Sequence, residues 1–190
     1  SPALLVGGRG TVKTTTLRSL SFRGQARISG SNDPGDWEMV GAYWKVEPNV
    51  VAVFKGKGIE EEQWVAVFSH YLNLRLISLV LEYAAWLEAH RGSVAMQEIP
   101  LRLLERSLGI AKCQTISDLT QQIDLAMAEI EAKINGSISS LAEGTFSILG
   151  RPLDHLFESI PEISVGQQNP FMFCLDEYEN LSPYQQRLLN

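Results

Sequence analysis

Two short stretches of this chain combine residue types that bind and activate phosphate. The first is Gly7-Gly8-Arg9-Gly10-Thr11-Val12-Lys13-Thr14-Thr15. It follows a short apolar run, Ala3-Leu4-Leu5-Val6, that reads as a buried strand. It precedes a stretch at residues 15–22 that reads as a helix, with Leu17, Leu20 and Ser21 on its buried face. Strand, glycine-rich loop and helix form the context that a phosphate-binding loop requires. Against the template G-x-x-x-x-G-K-[ST], Gly7 fills the first position, and Lys13 and Thr14 fill the last two. In such a loop the backbone N–H groups curl around phosphate oxygens, and the helix N-terminus adds the positive end of its dipole. Lys13 would reach the outer phosphates and Thr14 would offer its hydroxyl to Mg²⁺. Val12 stands where the template has glycine. A side chain there crowds the approach of the backbone to phosphate, and a β-branched residue is poor wherever φ must be positive. The alternative is a glycine-rich turn that holds a lysine without a phosphate role.

The second stretch lies near the other end. Pro170-Phe171-Met172-Phe173-Cys174-Leu175 is an apolar run that ends in Asp176-Glu177. A carboxylate at the C-terminal tip of a buried strand is placed to hold Mg²⁺, directly or through water. The adjacent Glu177 is placed to polarise an attacking water. Open α/β sheets bind ligands outside the carboxyl ends of their strands, where both stretches would meet. An apolar run followed by Asp-Glu is common by itself. With the N-terminal loop it supplies the second half of one Mg–phosphate site.

The remaining residues bound the possibilities. The chain has 190 residues, 45% of them hydrophobic and 20% charged, which is a globular composition and excludes a disordered or low-complexity chain. The net charge of −6 removes a basic nucleic-acid footprint over the whole chain and leaves nucleic-acid contact possible only locally. Arg9, Lys13, Arg18, Arg23 and Arg27 all precede the first acidic residue, Asp33. They read either as solvated helix and loop residues or as a phosphate-attracting segment. Cys113 and Cys174 are too few and too far apart for a zinc site or a disulfide framework, so a reducing cytoplasm is the expected compartment. His70, His90 and His155 lack metal-ligand spacing. No uninterrupted apolar run of about 18 residues is present, so no membrane span is expected.

The elements that must position the two stretches are partly readable. Residues 37–47 and 50–54 are β-rich runs around Pro48-Asn49 and suggest a hairpin or two successive strands. Glu60-Glu61-Glu62 opens a helix of about 28 residues that ends near His90-Arg91-Gly92 and is apolar on nearly every side. A helix at 100–108 closes on Gly109, and another at 119–134 is capped by Ser117 and stopped by Asn135-Gly136. Short mixed segments fill 137–168. A last helix begins with Ser182 as N-cap and Pro183 behind it.

With these motifs the chain resembles a P-loop ATPase. More narrowly, it is similar to the AAA-type bacterial ATPases related to the origin-recognition and Cdc6 ATPases. The residues that carry the likeness are Gly7 to Thr15 with Leu17-Arg18, and Phe173-Cys174-Leu175-Asp176-Glu177-Tyr178-Glu179-Asn180-Leu181. The segments Gly41-Ala42-Tyr43-Trp44-Lys45-Val46 and 62–74 add to it. The resemblance implies an α/β fold, a parallel sheet with helices on both faces. It implies an ATP- and Mg²⁺-dependent module that couples nucleotide binding and hydrolysis to conformational change or assembly. Lys13 carries over as the phosphate lysine, Thr14 and Asp176 as Mg²⁺ partners, and Glu177 as the catalytic base. The partners implied are a second copy of the chain or an effector protein, in a bacterial defence or DNA-transaction system. About 160 residues separate Lys13 from Asp176, more than a compact core uses. Residues 1–55 and 165–190 are therefore expected to form an incomplete P-loop core, and 56–164 a mainly helical insertion. Sensor residues and an arginine finger are expected beyond Asn190. Two other readings stay open, the first of a different class. One is a nucleotide-site relic serving as an interaction scaffold, which Val12 favours; the other is an ABC- or SMC-like ATPase whose signature segment is absent from this chain.

Overall fold

The computed structural model describes residues 12–56, 58–136, 138–141, 144–164 and 170–189. The strand expected at 3–6 and the loop residues Gly7, Gly8, Arg9, Gly10 and Thr11 lie outside the described residues. In chain order the helices and strands are α1 (Lys13–Leu20), α2 (Phe22–Ser29), β1 (Val40–Lys45), α3 (Pro48–Val51), α4 (Glu61–Arg91), α5 (Glu98–Leu108), α6 (Ile116–Gly136), α7 (Arg151–Ser159), α8 (Pro161–Ser164), β2 (Phe171–Asp176) and α9 (Pro183–Leu189). The chain divides into two compact units, residues 1–51 with 166–190, and residues 52–165.

The first unit is α/β. Its described sheet has two strands, β1 and β2, paired in parallel from Val40↔Phe171 to Lys45↔Asp176. Side chains alternate along a strand, and register partners share a face. Gly41, Tyr43, Lys45, Cys174 and Asp176 therefore lie on one face, while Ala42 and Trp44 are buried on the other. The α1–α2 elbow packs on the first face. Ser21 is the hinge: it is extended, bridges to Gly41, and its hydroxyl caps α2 by accepting from the Gly24 N–H at 3.2 Å. Two glycines permit this close approach. A Cβ on Gly41 would lie 2.1 Å from the Leu20 carbonyl oxygen, and one on Gly24 would lie 2.3 Å from that of Arg18.

The hairpin expected across 37–54 does not form. β1 finds its partner far along the chain, and residues 48–51 turn into helix. Pro48 carries the φ that a first helical residue needs and no N–H to satisfy, and the Glu47 carbonyl accepts from the Val50 and Val51 N–H groups.

The second unit is helical, with α4 at its core and α6 and α7 packed on it. A reciprocal capping box of Glu60 and Gln63 opens α4, and Gly92 ends it. By length and composition alone, α4 holds an 18-residue window apolar enough to span a membrane, with mean hydropathy 1.4. Arg75 interrupts the apolar run. Of that window 83% is buried inside the structure, as in a core helix. Buried polar groups on α4 are paired. Asn73 donates to Ser147 Oγ at 2.8 Å and to the Ile148 carbonyl at 3.0 Å, and accepts from the Gly150 N–H at 2.8 Å. His70 Nδ1 lies 2.8 Å from Ser147 Oγ. These contacts pin residues 147–150 to α4. The expected cap of the next helix also changes. α6 starts at Ile116, and Thr115 rather than Ser117 caps it, its hydroxyl accepting from the Asp118 N–H at 3.0 Å while the Asp118 carboxylate accepts from Gln114 and Thr115.

Candidate functional site

The site lies in the first unit, where the start of α1 meets the C-terminal tips of both strands. Val12 is the N-cap of α1 and is 70% exposed. Its φ is −66°, an ordinary value for a β-branched residue, so backbone strain is not the cost of valine at this position. The steric objection remains, since its side chain adds bulk beside the first N–H groups of the helix. Lys13 is the first residue of α1, and Thr14 and Thr15 follow in its first turn. That turn is the positive end of the helix dipole and carries no acidic residue.

Thr14 and Asp176, 162 residues apart, meet directly. The Thr14 hydroxyl donates to Asp176 Oδ2 at 2.7 Å. Two further donors hold the same carboxylate: the Tyr43 hydroxyl on Oδ2 at 2.8 Å, and the Glu177 N–H on Oδ1 at 3.0 Å. Asp176 is only 6% exposed. Burial pushes its carboxyl upward, but the hydrogen bonds from Thr14, Tyr43 and Glu177, with the charge of Lys45, outweigh burial and hold it below the usual range. Asp176 is thus an anion at the end of a strand. Tyr43 is shifted the other way: burial raises its phenol, and donation to the Asp176 anion raises it further, against the opposing effect of Arg18.

Glu177 has φ 56° and ψ 39°, and among the described residues it is the one non-glycine residue with positive φ. This left-handed turn takes the chain off β2 at the first residue after the strand. Its carboxylate pairs with Lys45 Nζ at 3.1 Å and accepts from Asn180 Nδ2 at 3.1 Å. Asn180 also donates to the Val46 carbonyl at 2.8 Å, which ties the turn after β2 to the end of β1. The ion pair with Glu177 raises the Lys45 ammonium above its ordinary value.

The donors assembled are a hydroxyl and a carboxylate one hydrogen bond apart. Both are hard oxygen ligands, and the pair suits Mg²⁺, which takes one or two protein oxygens and keeps several waters. Among the described residues no three His, Cys, Asp or Glu side chains gather into a cage for a softer metal. Of the residues expected from the sequence, Thr14, Asp176 and Glu177 are brought together at one strand end, and Lys13 precedes Thr14 as the first residue of α1. Tyr43, Lys45 and Asn180 join them unforeseen. The i, i+2 spacing of Tyr43 and Lys45 shows that they share a face of β1, but their role depends on a register with β2 that no local pattern encodes.

No curated protein and no solved structure is significantly similar to the chain. A family model described as ORC-CDC6-like matches residues 1–190. Matched over its whole length, the chain belongs to the ORC-CDC6-like family, an ATPase-related group whose membership implies nucleotide binding.

Proposed function

We propose that the first unit is a P-loop nucleotide site that binds ATP with Mg²⁺ and hydrolyses it, coupling nucleotide state to conformational change or assembly. The observation that carries this reading is the 2.7 Å hydrogen bond between Thr14 and Asp176, which joins the two motif halves across the chain. In this reading the N-terminus of α1 would direct its first N–H groups and the positive end of its dipole at the phosphates. Lys13 contributes a positive charge to the outer phosphates. Thr14 and Asp176 would hold the cation, and Mg²⁺, when bound, would supply charge neutralisation on the phosphates. Glu177 takes a proton from the water that attacks the terminal phosphorus, and the bond from that phosphorus to the bridging oxygen breaks to release ADP and phosphate. To act as base, the Glu177 carboxylate exchanges its contacts with Lys45 and Asn180 for that water.

Val12 favours a second reading, a site that has lost nucleotide and serves as an interaction scaffold. Measuring phosphate release from ATP by the chain and by Glu177→Gln separates the two. Turnover that Glu177→Gln abolishes supports hydrolysis. No release by either protein, joined to no ATP binding, supports the scaffold.

A further inference from the structure

We propose that Tyr43 is a positioning residue for the cation end of this site: its hydroxyl fixes the plane of the Asp176 carboxylate so that one oxygen stays against Thr14. The inference rests on the nucleotide reading above and adds a residue that neither motif contains. A carboxylate at a strand tip has two torsions to settle. Here donors from three directions settle them. Thr14 comes from α1 and Tyr43 from β1, both on Oδ2, and the Glu177 N–H comes from the turn after β2, on Oδ1.

Tyr43 is itself restrained. The Arg18 guanidinium lies 5.3 Å from the centre of its ring, a cation–π arrangement. Arg18 and Thr14 are four residues apart on α1, so they project from the same side of that helix. One helix face therefore contacts Asp176 twice, directly through Thr14 and indirectly through Arg18 and Tyr43. The two routes differ in what a cation does to them. Thr14 must turn a lone pair toward Mg²⁺ when it becomes a ligand. Tyr43 has no such duty, and its hydrogen bond persists while the Thr14 hydroxyl reorients. Partners of a metal-holding carboxylate outside the ligand set commonly contribute about 10-fold or more to metal affinity.

The test is Tyr43→Phe in the full chain, which keeps the ring beneath Arg18 and removes only the hydroxyl. Mn²⁺ serves as the probe. Its binding is followed by electron paramagnetic resonance at saturating ADP, with ADP affinity in EDTA and the thermal midpoint measured alongside. The expected result is an Mn²⁺ midpoint raised about 10-fold, with metal-free ADP affinity unchanged. A merely structural tyrosine lowers the thermal midpoint and leaves the Mn²⁺ midpoint where it was. An unchanged or lowered Mn²⁺ midpoint, beside intact ADP binding, overturns the role of Tyr43 and spares the nucleotide reading. Failure of the unaltered protein to bind ADP in either condition overturns both.

Discussion

Asp176 accepts three hydrogen bonds on two oxygens while almost fully buried, and this concentration of donors is where the chemistry is most exposed to test. Asp176→Asn keeps the shape of the side chain and removes the charge. Its amide nitrogen then meets either two hydroxyl donors or one N–H, and the cation loses its anionic partner. The expected outcome is a Mg²⁺ requirement for ATP binding raised at least about 10-fold, read by titrating Mg²⁺ at fixed ATP. Glu177 makes a contrasting prediction. Its partners Lys45 and Asn180 are outside the phosphate motifs, and the Lys45 ion pair is solvent-exposed, so losing it costs little stability. Glu177→Gln should bind ATP as the parent does and turn it over about 10²- to 10³-fold more slowly, as measured in single-turnover phosphate release. Equal losses in binding and turnover would instead make Glu177 a structural residue. The candidate pair Asp176-Glu177 was legible because a strand pattern ends on it. Tyr43 was not legible, because a tyrosine in a β-rich run looks like core until its register with β2 is known.

At the scale of elements, the α1–α2 elbow sets where α1 lies against the sheet. The elbow sits on β1 through Gly41, whose missing Cβ leaves room for the Leu20 carbonyl. Gly41→Ala must push that backbone away. It is expected to cost about 2–3 kcal/mol in urea unfolding and to weaken ATP binding through displacement of α1. Stability lost without loss of binding would uncouple the elbow from the site. The elements differ in how far the sequence reveals them, for physical reasons. α4 was legible because acidic residues open it, a glycine closes it, and its apolar residues recur over many turns. β2 and the start of α9 at Pro183 are legible from a short apolar run and a proline at the first helical position. The Ser182 hydroxyl expected to cap α9, however, makes no hydrogen bond among the described residues, and the Ser182 N–H donates to Gln185 Oε1 at 2.8 Å. β-branched and aromatic residues at 50–54 look extended and suggest a hairpin or a second strand, whereas Pro48 starts a helical turn and β1 takes a parallel partner about 130 residues away. Parallel pairing leaves no turn signal between the strands. Ser117 has the chemistry of a cap for α6, but Thr115 supplies the same chemistry two residues earlier and takes the role.

At the scale of the whole molecule, the two compact units carry different sensitivities. In the helical unit His70 is buried and its pKa is pushed down to about 4 by that burial. The unfolded chain takes up this proton near pH 6.5, and the folded chain excludes it until about pH 4. The contribution of His70 is therefore present above pH 6.5 and is lost as pH falls through that window, by about 3 kcal/mol. Asp176 adds to acid lability at lower pH: its carboxyl is held down in the folded state, so its stabilisation is lost as the carboxylate is protonated. Urea midpoints at pH 7 and pH 4.5 should show the loss, and His70→Gln should flatten the decline over the upper part of that range. A parent protein as stable at pH 4.5 as at pH 7 would contradict the burial of a neutral His70. The nucleotide reading itself is tested most directly by thermal stabilisation with ATP, with and without Mg²⁺. A binder is expected to gain about 2.7 kcal/mol at a hundredfold excess over its dissociation constant, and the gain should fall when Mg²⁺ is withdrawn. Val12→Gly, which relieves the bulk beside the first turn of α1, should increase it. No shift with ATP and Mg²⁺ in either the parent chain or Val12→Gly would contradict a nucleotide site in this protein.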